Sequence, residues 1–104
     1  MSQFVLIFDK IFERKYRKLD NSIQIEGDKK LKRLKETPIS MGKPLHFLPS
    51  LYELYLQSYR IYYYIKESDK LILILAIEHK DEQRKFLNEL TKEKINEILQ
   101  RENS

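Results

Sequence analysis

Residues 51–79, LYELYLQSYRIYYYIKESDKLILILAIEH, form the part of the chain around which the predicted fold is organised. Ser58 separates the first two apolar runs of this stretch, and the polar residues 67–70 separate the second from the third. Connections this short require antiparallel neighbours, because a parallel crossover needs a dozen residues or more. We therefore predict three consecutive antiparallel strands, rich in Tyr, Ile and Leu. Their bounds are Leu51–Gln57, Tyr59–Ile65 and Leu71–Glu78.

Successive side chains of a strand point to opposite faces, so these runs predict two different sheet surfaces. The third run is apolar on both faces and should be the most buried strand. The face predicted to lie under helices carries Leu54, Leu56, Ile61 and Ile65. The opposite face carries Glu53, Tyr55, Arg60, Tyr62 and Tyr64, and His79 and Lys80 follow where the third strand ends.

This second, polar face has two interpretations. It can be a solvated sheet surface, on which the tyrosines supply strand propensity and Glu53 and Arg60 pair across neighbouring strands. It can also be a groove in which an arginine neutralises a phosphate while tyrosine rings stack on bases. Composition alone does not decide between a solvated surface and a nucleic-acid groove.

Length and composition favour one globular domain over residues 1–104. The chain is 41% hydrophobic and 35% charged, and its seven tyrosines and five phenylalanines argue against disorder. It has no cysteine, so nothing favours disulfides or zinc–thiolate sites. The apolar run in residues 1–10 is too short for a signal sequence or a membrane span. We therefore expect a cytoplasmic protein with no membrane partner.

Positive charge is concentrated near the start of the chain. Residues 10–35 hold ten Lys or Arg and four Asp or Glu, a net charge of +6, whereas residues 78–104 hold six and seven, a net charge of −1. Such an uneven field favours a polyanionic partner, because it raises the encounter rate and the non-specific affinity. The alternative is a pair of ordinary amphipathic helices with lysine-rich outer faces.

A strand and a helical hairpin are predicted ahead of residue 38. Residues 3–8 (QFVLIF) are typical of a short strand, and Asp9 can cap the helix that follows. The break at Asp20-Asn21 separates this helix from a second one, which extends to about Glu36 and ends at Thr37-Pro38. The apolar face of the first helix is Phe12, Tyr16 and Leu19, and that of the second is Ile23, Gly27, Leu31 and Leu34.

Two local features of the second helix lead to specific expectations. Asn21 and Gln24 have the spacing of a capping box at its start. Gly27 lies in mid-helix, where glycine costs ~1 kcal/mol relative to alanine. We expect the close approach of a neighbouring element at Gly27 to offset this cost.

The segments that flank the three strands complete the prediction. Residues 39–50 (ISMGKPLHFLPS) are predicted as a loop, and Lys43 and His46 are candidates there because loops beside a rigid sheet often carry sites. Residues 80–101 are predicted to be helical, with a kink or a new start near Thr91. Its apolar positions span too wide an arc for one stripe, so we expect some of them to be exposed and to bind a partner, the alternatives being packing against the sheet edge or a homodimer. These positions are Phe86, Leu87, Leu90, Ile95, Ile98 and Leu99.

The remaining candidate chemistry is metal-free acid–base catalysis, or binding alone. Two glycines cannot form a Gly-rich phosphate loop, two histidines without helical i, i+4 spacing do not predict a metal site, and no cofactor is expected. RNA cleavage without a metal needs a base for the 2′-hydroxyl, cations for the phosphate and an acid for the leaving oxygen. The candidate catalytic residues are Arg60, Lys80, His79, His46 and Glu53, and the candidate RNA-binding residues are Lys43, Tyr55, Tyr62 and Tyr64. Each histidine is also explained as an ordinary surface residue.

The order of these elements and four short motifs resemble the RelE/ParE toxin superfamily of type II toxin–antitoxin modules. The resemblance covers nearly the whole chain, and its most specific part is the pair LYEL and YRIYY. It implies an α+β fold, in which an N-terminal strand and a helical hairpin pack on a four-stranded, mostly antiparallel sheet with a C-terminal helix. The motifs are Gly42-Lys43-Pro44, Leu51-Tyr52-Glu53-Leu54, Tyr59-Arg60-Ile61-Tyr62-Tyr63 and Ala76-Ile77-Glu78-His79-Lys80.

The resemblance also implies a function: a toxin that cleaves mRNA on the ribosome without a metal and is neutralised by a cognate antitoxin. Arg60 and Lys80 correspond to cationic positions of RelE. Glu53 and Tyr55 stand where RelE has lysines, and a later arginine and tyrosine of RelE fall near Asp81 and Leu87.

The relative YoeB adds a second comparison. It has a glutamate directly after its GKP motif, where this chain has Leu45 followed by His46, and its terminal histidine resembles His79 in placement. These departures leave two alternatives open, a gyrase inhibitor like the ParE branch and a catalytically degenerate binding module.

Overall fold

The computed structural model describes residues 3–103, and the longest helix in that range has 14 residues. Within those residues, the strands form one mixed sheet of five, in which the N-terminal strand is parallel to its neighbour and the other pairs are antiparallel. The predicted α+β class is thereby confirmed, with one strand more than expected. No helix in the described range is long and apolar enough to cross a membrane. The elements are β1 Val5–Phe8, α1 Lys10–Arg17, α2 Asn21–Leu34, α3 Pro38–Met41, β2 Lys43–Pro44, β3 Leu51–Leu56, β4 Tyr59–Lys66, β5 Leu71–His79, α4 Gln83–Glu89 and α5 Lys92–Asn103, and the order in the sheet is β1-β5-β4-β3-β2.

The additional strand, β2, lies at the edge of the sheet inside the segment predicted as a loop. Its two residues pair with Glu53 and Tyr52 of β3. Pro44 is tolerated there because an edge strand needs hydrogen bonds on one side alone. The same segment also contains part of α3, in which Pro38 occupies the first turn. Proline fits that position because the first N–H of a helix has no partner within the helix.

α1 and α2 cover the sheet face that was predicted to be buried. Asp9 caps α1 as expected, since its Oδ2 accepts hydrogen bonds from the backbone amides of Ile11 and Phe12 at 3.0 and 3.3 Å. The four strand residues assigned to this face all lie in the core beneath the two helices, namely Leu54, Leu56, Ile61 and Ile65.

Gly27 allows α1 and α2 to approach each other, as predicted. A Cβ at this position would lie 3.0 Å from Cε1 and Cζ of Tyr16, and closer still to its hydroxyl oxygen. The predicted capping box at the start of α2 is wrong. The side-chain amide of Gln24 donates instead to the carbonyl oxygens of Arg17 and Leu19, so it caps the end of α1.

The opposite face of the sheet is also covered, by α4 and α5. The helical segment predicted over residues 80–101 consists of two helices, separated at Leu90 and Thr91, where a kink or a new start was predicted. The apolar positions expected to bind a partner pack instead against this face and form a second core. Their wide arc follows from the change of direction between the two helices. These positions are Phe86, Leu87, Leu90, Ile95, Ile98 and Leu99.

Candidate functional site

Arg60 lies at the end of the sheet where β3 turns into β4. It is paired with Tyr55 on one side and with Glu78 on the other. Its Cζ atom lies 3.9 Å from the centre of the Tyr55 ring. Its Nη1 donates hydrogen bonds to the carbonyl oxygens of Gln57 and Tyr59, both at 2.9 Å. Stacking on the ring and the two carbonyl contacts together fix the orientation of the guanidinium group.

A second cation, Lys80, lies at the same end of the sheet. Its backbone amide donates to the carbonyl oxygen of Ser58 at 2.8 Å, which joins the end of β5 to the β3–β4 turn. The Lys80 side chain is exposed, and Tyr55 is 50% exposed beside Arg60. We call Tyr55, Arg60 and Lys80 the cationic end of the sheet. It combines an aromatic face with two positive charges, the combination that favours single-stranded nucleic acid.

His79 does not share a face with Arg60. It pairs with Tyr59, whose ring meets the imidazole edge-to-face with the ring centres 5.4 Å apart, and Tyr59 packs against the core under α1 and α2. Nδ1 of His79 accepts a hydrogen bond from the backbone amide of Asp81 at 3.2 Å and lies 3.4 Å from Oδ2 of the same residue. His79 is therefore close to Lys80 in the chain but lies on the other side of the sheet.

Glu53 and Tyr62 are paired across β3 and β4 and are both buried, with 3% and 0% of their surface exposed. Both interpretations of the polar face, a solvated surface and an open groove, are therefore wrong for these two residues. The side-chain amide of Gln83 donates to Oε2 of Glu53 at 3.0 Å, and the ring centres of Phe86 and Tyr62 lie 4.8 Å apart. Both covering residues belong to α4.

The Tyr62 hydroxyl is enclosed without a hydrogen-bond partner among the described residues. Burial, and then the negative charge of the nearby Glu53, raise the pKa of Tyr62 well above its ordinary value. The Glu53 carboxylate therefore lies close to the Tyr62 hydroxyl. A protonated phenol beside a carboxylate is a pair of groups that can donate and accept a proton.

The other candidate residues lie away from the cationic end. Tyr64 is four residues from Arg60 along β4, which corresponds to about 13 Å at ~3.3 Å per residue, and it packs against the second core. His46 is exposed in the loop after β2. This loop adjoins the end of β3 opposite the cationic end, because the backbone amide of Leu45 donates to the carbonyl oxygen of Leu51. Lys43 is exposed on the edge strand beside Glu53. The structure therefore separates these three residues from the cationic end of the sheet.

In the described part of the chain, no three His, Asp or Glu side chains are grouped closely enough to hold a metal ion. The polar groups near the cationic end are the Arg60 guanidinium, the Lys80 ammonium, the Tyr62 phenol and the Glu53 carboxylate. These groups can bind a phosphate and move protons.

Comparison with known proteins identifies the family. A family model described as the ParE toxin of type II toxin–antitoxin system, parDE, matches residues 6–84. The chain belongs to this family. The resemblance to the RelE/ParE superfamily that the sequence motifs indicated is therefore confirmed. No curated protein sequence matches the chain at a significant level.

Solved structures of RelE toxins share the fold of this family member. In the intact RelBE toxin–antitoxin complex of E. coli, the matching chain is 26% identical, with a TM-score of 0.66 over 73% of this chain and 95% of that one. A free E. coli RelE in which two arginines are replaced by alanine is 25% identical, with a TM-score of 0.67 over 97% and 98%. The archaeal RelE–RelB complex of Pyrococcus horikoshii is 20% identical, with a TM-score of 0.68 over 77% and 97%, and shows the fold alone.

Two residues of α4, Gln83 and Phe86, were missed as part of the site of this family member. They contact the two buried candidates, Glu53 and Tyr62, directly. The available signal was the wide apolar arc of residues 80–101, which requires a second layer on the sheet rather than an exposed patch. A second layer would necessarily cover the strand residues at the centre of the polar face.

Proposed function

We propose that this protein is the toxin of a type II toxin–antitoxin pair and that it cleaves mRNA on the ribosome, in the cytoplasm, without a metal. The observation that carries the proposal is the cationic end, where the Arg60 guanidinium is held against the half-exposed ring of Tyr55 beside Lys80. The two carbonyl contacts of Arg60 use Nη1, so Nε and Nη2 can bind a phosphate. A fixed, planar fork of donors matches the geometry of a phosphodiester.

The reaction that fits these groups is transesterification of the RNA backbone. The 2′-hydroxyl loses a proton to a base, its oxygen bonds to the phosphorus, and the bond from phosphorus to the 5′-oxygen breaks. The leaving 5′-oxygen then takes a proton from an acid. Arg60 stabilises the charge that develops on the phosphate, and Lys80 adds to it. His79 adjoins Lys80 in the chain but is only partly exposed and lies on the other side of the sheet from Arg60, so it does not face a phosphate bound by Arg60.

The direct test is to induce the protein, isolate ribosomes and map new 5′ ends in the bound mRNA. Arg60→Ala should lower the cleavage rate by about 10²–10³-fold, the usual cost of removing one donor to the transition state. Arg60→Lys should recover part of the rate, because it keeps the charge and loses the fork. Arg33→Ala, which removes an exposed arginine of α2, serves as the matched control. An Arg60→Ala protein that cleaves as fast as the unmodified protein excludes this mechanism.

A cognate antitoxin is the proposed protein partner. RelE of E. coli has been solved in a complex with its antitoxin RelB, and it shares the fold and 26% of its residues with this chain. The net charge of +6 over residues 10–35, which include all of α1 and α2, favours an acidic partner. The protein encoded beside this one should raise its thermal midpoint, because binding to the folded state alone stabilises it. Light scattering of the separate proteins and their mixture would distinguish this complex from a homodimer.

Gyrase inhibition is the second candidate, because the matching family model is that of ParE toxins. The two functions predict different responses to induction. Inhibition of gyrase should block supercoiling of plasmid DNA in vitro and induce DNA damage signalling, while ribosome-bound mRNA stays intact. A protein that does neither would be a binding module without toxicity.

A further inference from the structure

The pairing of Glu53 with Tyr62 places two polar groups between the second core and the cationic end of the sheet. Their neighbours on that face include Leu51, Leu73 and Leu75 of the second core on one side, and Tyr55 and Arg60 on the other. A buried carboxylate normally has several hydrogen bonds, and a buried hydroxyl normally has at least one. Gln83 donates one to Glu53, while the Tyr62 hydroxyl has none among the described residues. An apolar pair would avoid the cost of removing these groups from water, so apolar packing alone does not explain the two residues.

The cover over this pair is weakly attached. All seven residues of α4 keep part of their surface exposed. α4 ends at Leu90, whose backbone is extended, with φ −81° and ψ 127°. The next helix, α5, is anchored more firmly. Ile95 is 1% exposed and Leu99 is 9% exposed in the second core, and Arg101 donates to Oδ1 of the buried Asp9 at 2.6 Å.

The difference in anchoring means that α4 can move while α5 stays in place. Segments with few buried contacts open at a lower free energy than the core and open independently of it. The hinges would be the turn that precedes α4 and the extended backbone at Leu90, whose side chain is 8% exposed in the second core and would stay in place with α5. Opening would remove the Gln83 hydrogen bond and the Phe86 ring from the polar pair, and would expose it to solvent and ligands.

Tyr62 lies two residues from Arg60 on the same face of β4, which is about 7 Å along the strand. We propose that α4 is a lid over an acid–base site formed by Glu53 and Tyr62, and that RNA enters this site when the lid is open. Glu53 takes the proton of the ribose 2′-hydroxyl as its oxygen bonds to phosphorus, and Tyr62 gives its proton to the 5′-oxygen as that bond breaks. Arg60 binds the phosphate between them. This assignment rests on the proposed ribonuclease function.

Hydrogen–deuterium exchange with mass spectrometry tests the lid without reference to activity. Amides of residues 83–89 should exchange at least tenfold faster than those of residues 92–99 and of β4. Gln83→Ala should speed exchange in residues 83–89 further and leave β4 unchanged, because it removes the hydrogen bond to Glu53. Asn88→Ala, an exposed position on the same helix, is the matched control. Protection of residues 83–89 equal to that of β4 would refute the lid.

Cleavage of mRNA on ribosomes tests the acid–base site. Glu53→Gln keeps the shape of the side chain and should lower the cleavage rate at least a hundredfold. Tyr62→Phe should also lower the cleavage rate, and it should slow amide exchange in residues 83–89. Gln83→Ala should raise the rate, whereas a merely structural role for Gln83 would lower it. Unchanged protection of β3–β5 shows that each variant is folded.

The outcomes separate the two proposals. An unmodified protein that cleaves RNA while Glu53→Gln cleaves as fast refutes the acid–base site and leaves the ribonuclease function standing. An unmodified protein that cleaves no RNA while α4 exchanges early refutes the ribonuclease function and the acid–base roles, and leaves the lid.

Discussion

Replacing Gly27 with alanine tests the helix packing that supports the sheet. In an exposed helix interior, Gly→Ala stabilises a protein by about 1 kcal/mol, because alanine restricts the unfolded chain. Here the new Cβ would lie 3.0 Å from Cε1 and Cζ of Tyr16 and closer still to its hydroxyl oxygen. That hydroxyl is 2.8 Å from Oδ1 of Asp28 and 2.9 Å from the carbonyl oxygen of Gln24. The Tyr16 side chain must therefore move away from both partners.

The expected magnitude follows from the contacts that Tyr16 would lose. A hydrogen bond to a charged group contributes about 1.5–3 kcal/mol, and the helix propensity of alanine offsets about 1 kcal/mol of that loss. The net result is a free energy of unfolding lower by about 0.5–2 kcal/mol. For a chain of this size, 1 kcal/mol corresponds to about 4–8 °C in the thermal midpoint. Urea titration and thermal unfolding followed by circular dichroism would measure both quantities.

A double-mutant cycle separates the steric contact from other effects of alanine. Tyr16→Phe removes the hydroxyl that the new Cβ would meet, so Gly27→Ala should cost less in the Tyr16→Phe background than in the unmodified protein. The coupling free energy should be at least about 0.5 kcal/mol, above the error of additivity for independent sites. If Gly27→Ala raises the stability of the unmodified protein, the assigned helix approach is wrong.

Three further predictions concern stability. Gly42→Ala should lower the thermal midpoint by several degrees, because its Cβ would meet the fully buried ring of Tyr63 at 2.8–2.9 Å, and a midpoint unchanged in calorimetry would contradict this contact. Arg101→Ala should lower the free energy of unfolding by about 1 kcal/mol, because it leaves the buried Asp9 carboxylate with its backbone donors alone; Arg101→Lys should recover part of the loss in a urea titration. Stability should fall as the pH rises above about 10, because burial raises the pKa of Tyr16 and of Tyr63 in the folded state and the unfolded chain therefore loses these protons first. Tyr63→Phe should make this fall shallower between pH 9 and 11, and equal slopes would refute the assignment.

The central sheet could be predicted because its strands alternate and its connections are short. Ser58 leaves no room for anything other than a hairpin, and the apolar alternation in β3 and β4 then determines which residues face α1 and α2. The strand β2 was missed because two residues give no periodic pattern. Lys43 and Pro44 became a strand through pairing with β3, which is a tertiary effect that the local sequence does not contain.

The position of His79 shows a second limit of sequence patterns. Tyr62 pairs with Ala76 and Tyr63 with Ile74, so Leu75 is an extra residue in β5. A bulge of this kind shifts the alternation of faces for the rest of the strand. β5 is apolar on both faces, so the shift leaves no trace in its pattern of polar and apolar residues. His79 consequently pairs with Tyr59 and lies opposite the face of Arg60.

The residues of the polar face were predicted correctly, but the prediction that Glu53 and Tyr62 are accessible on it was wrong. Both outcomes have the same physical cause. Alternation along a strand says which side chains share a face but not what covers that face. Glu53 is the informative residue, because it occupies a strand position at which its neighbours are leucines and tyrosines. Sequences place a carboxylate in such a layer at a cost in stability, and such local conflicts concentrate at functional sites. A cover as thin as α4 allows the layer to remain closed for folding and to open for a ligand. The same conflict that makes Glu53 unfavourable as a core residue therefore makes it informative as a candidate site residue.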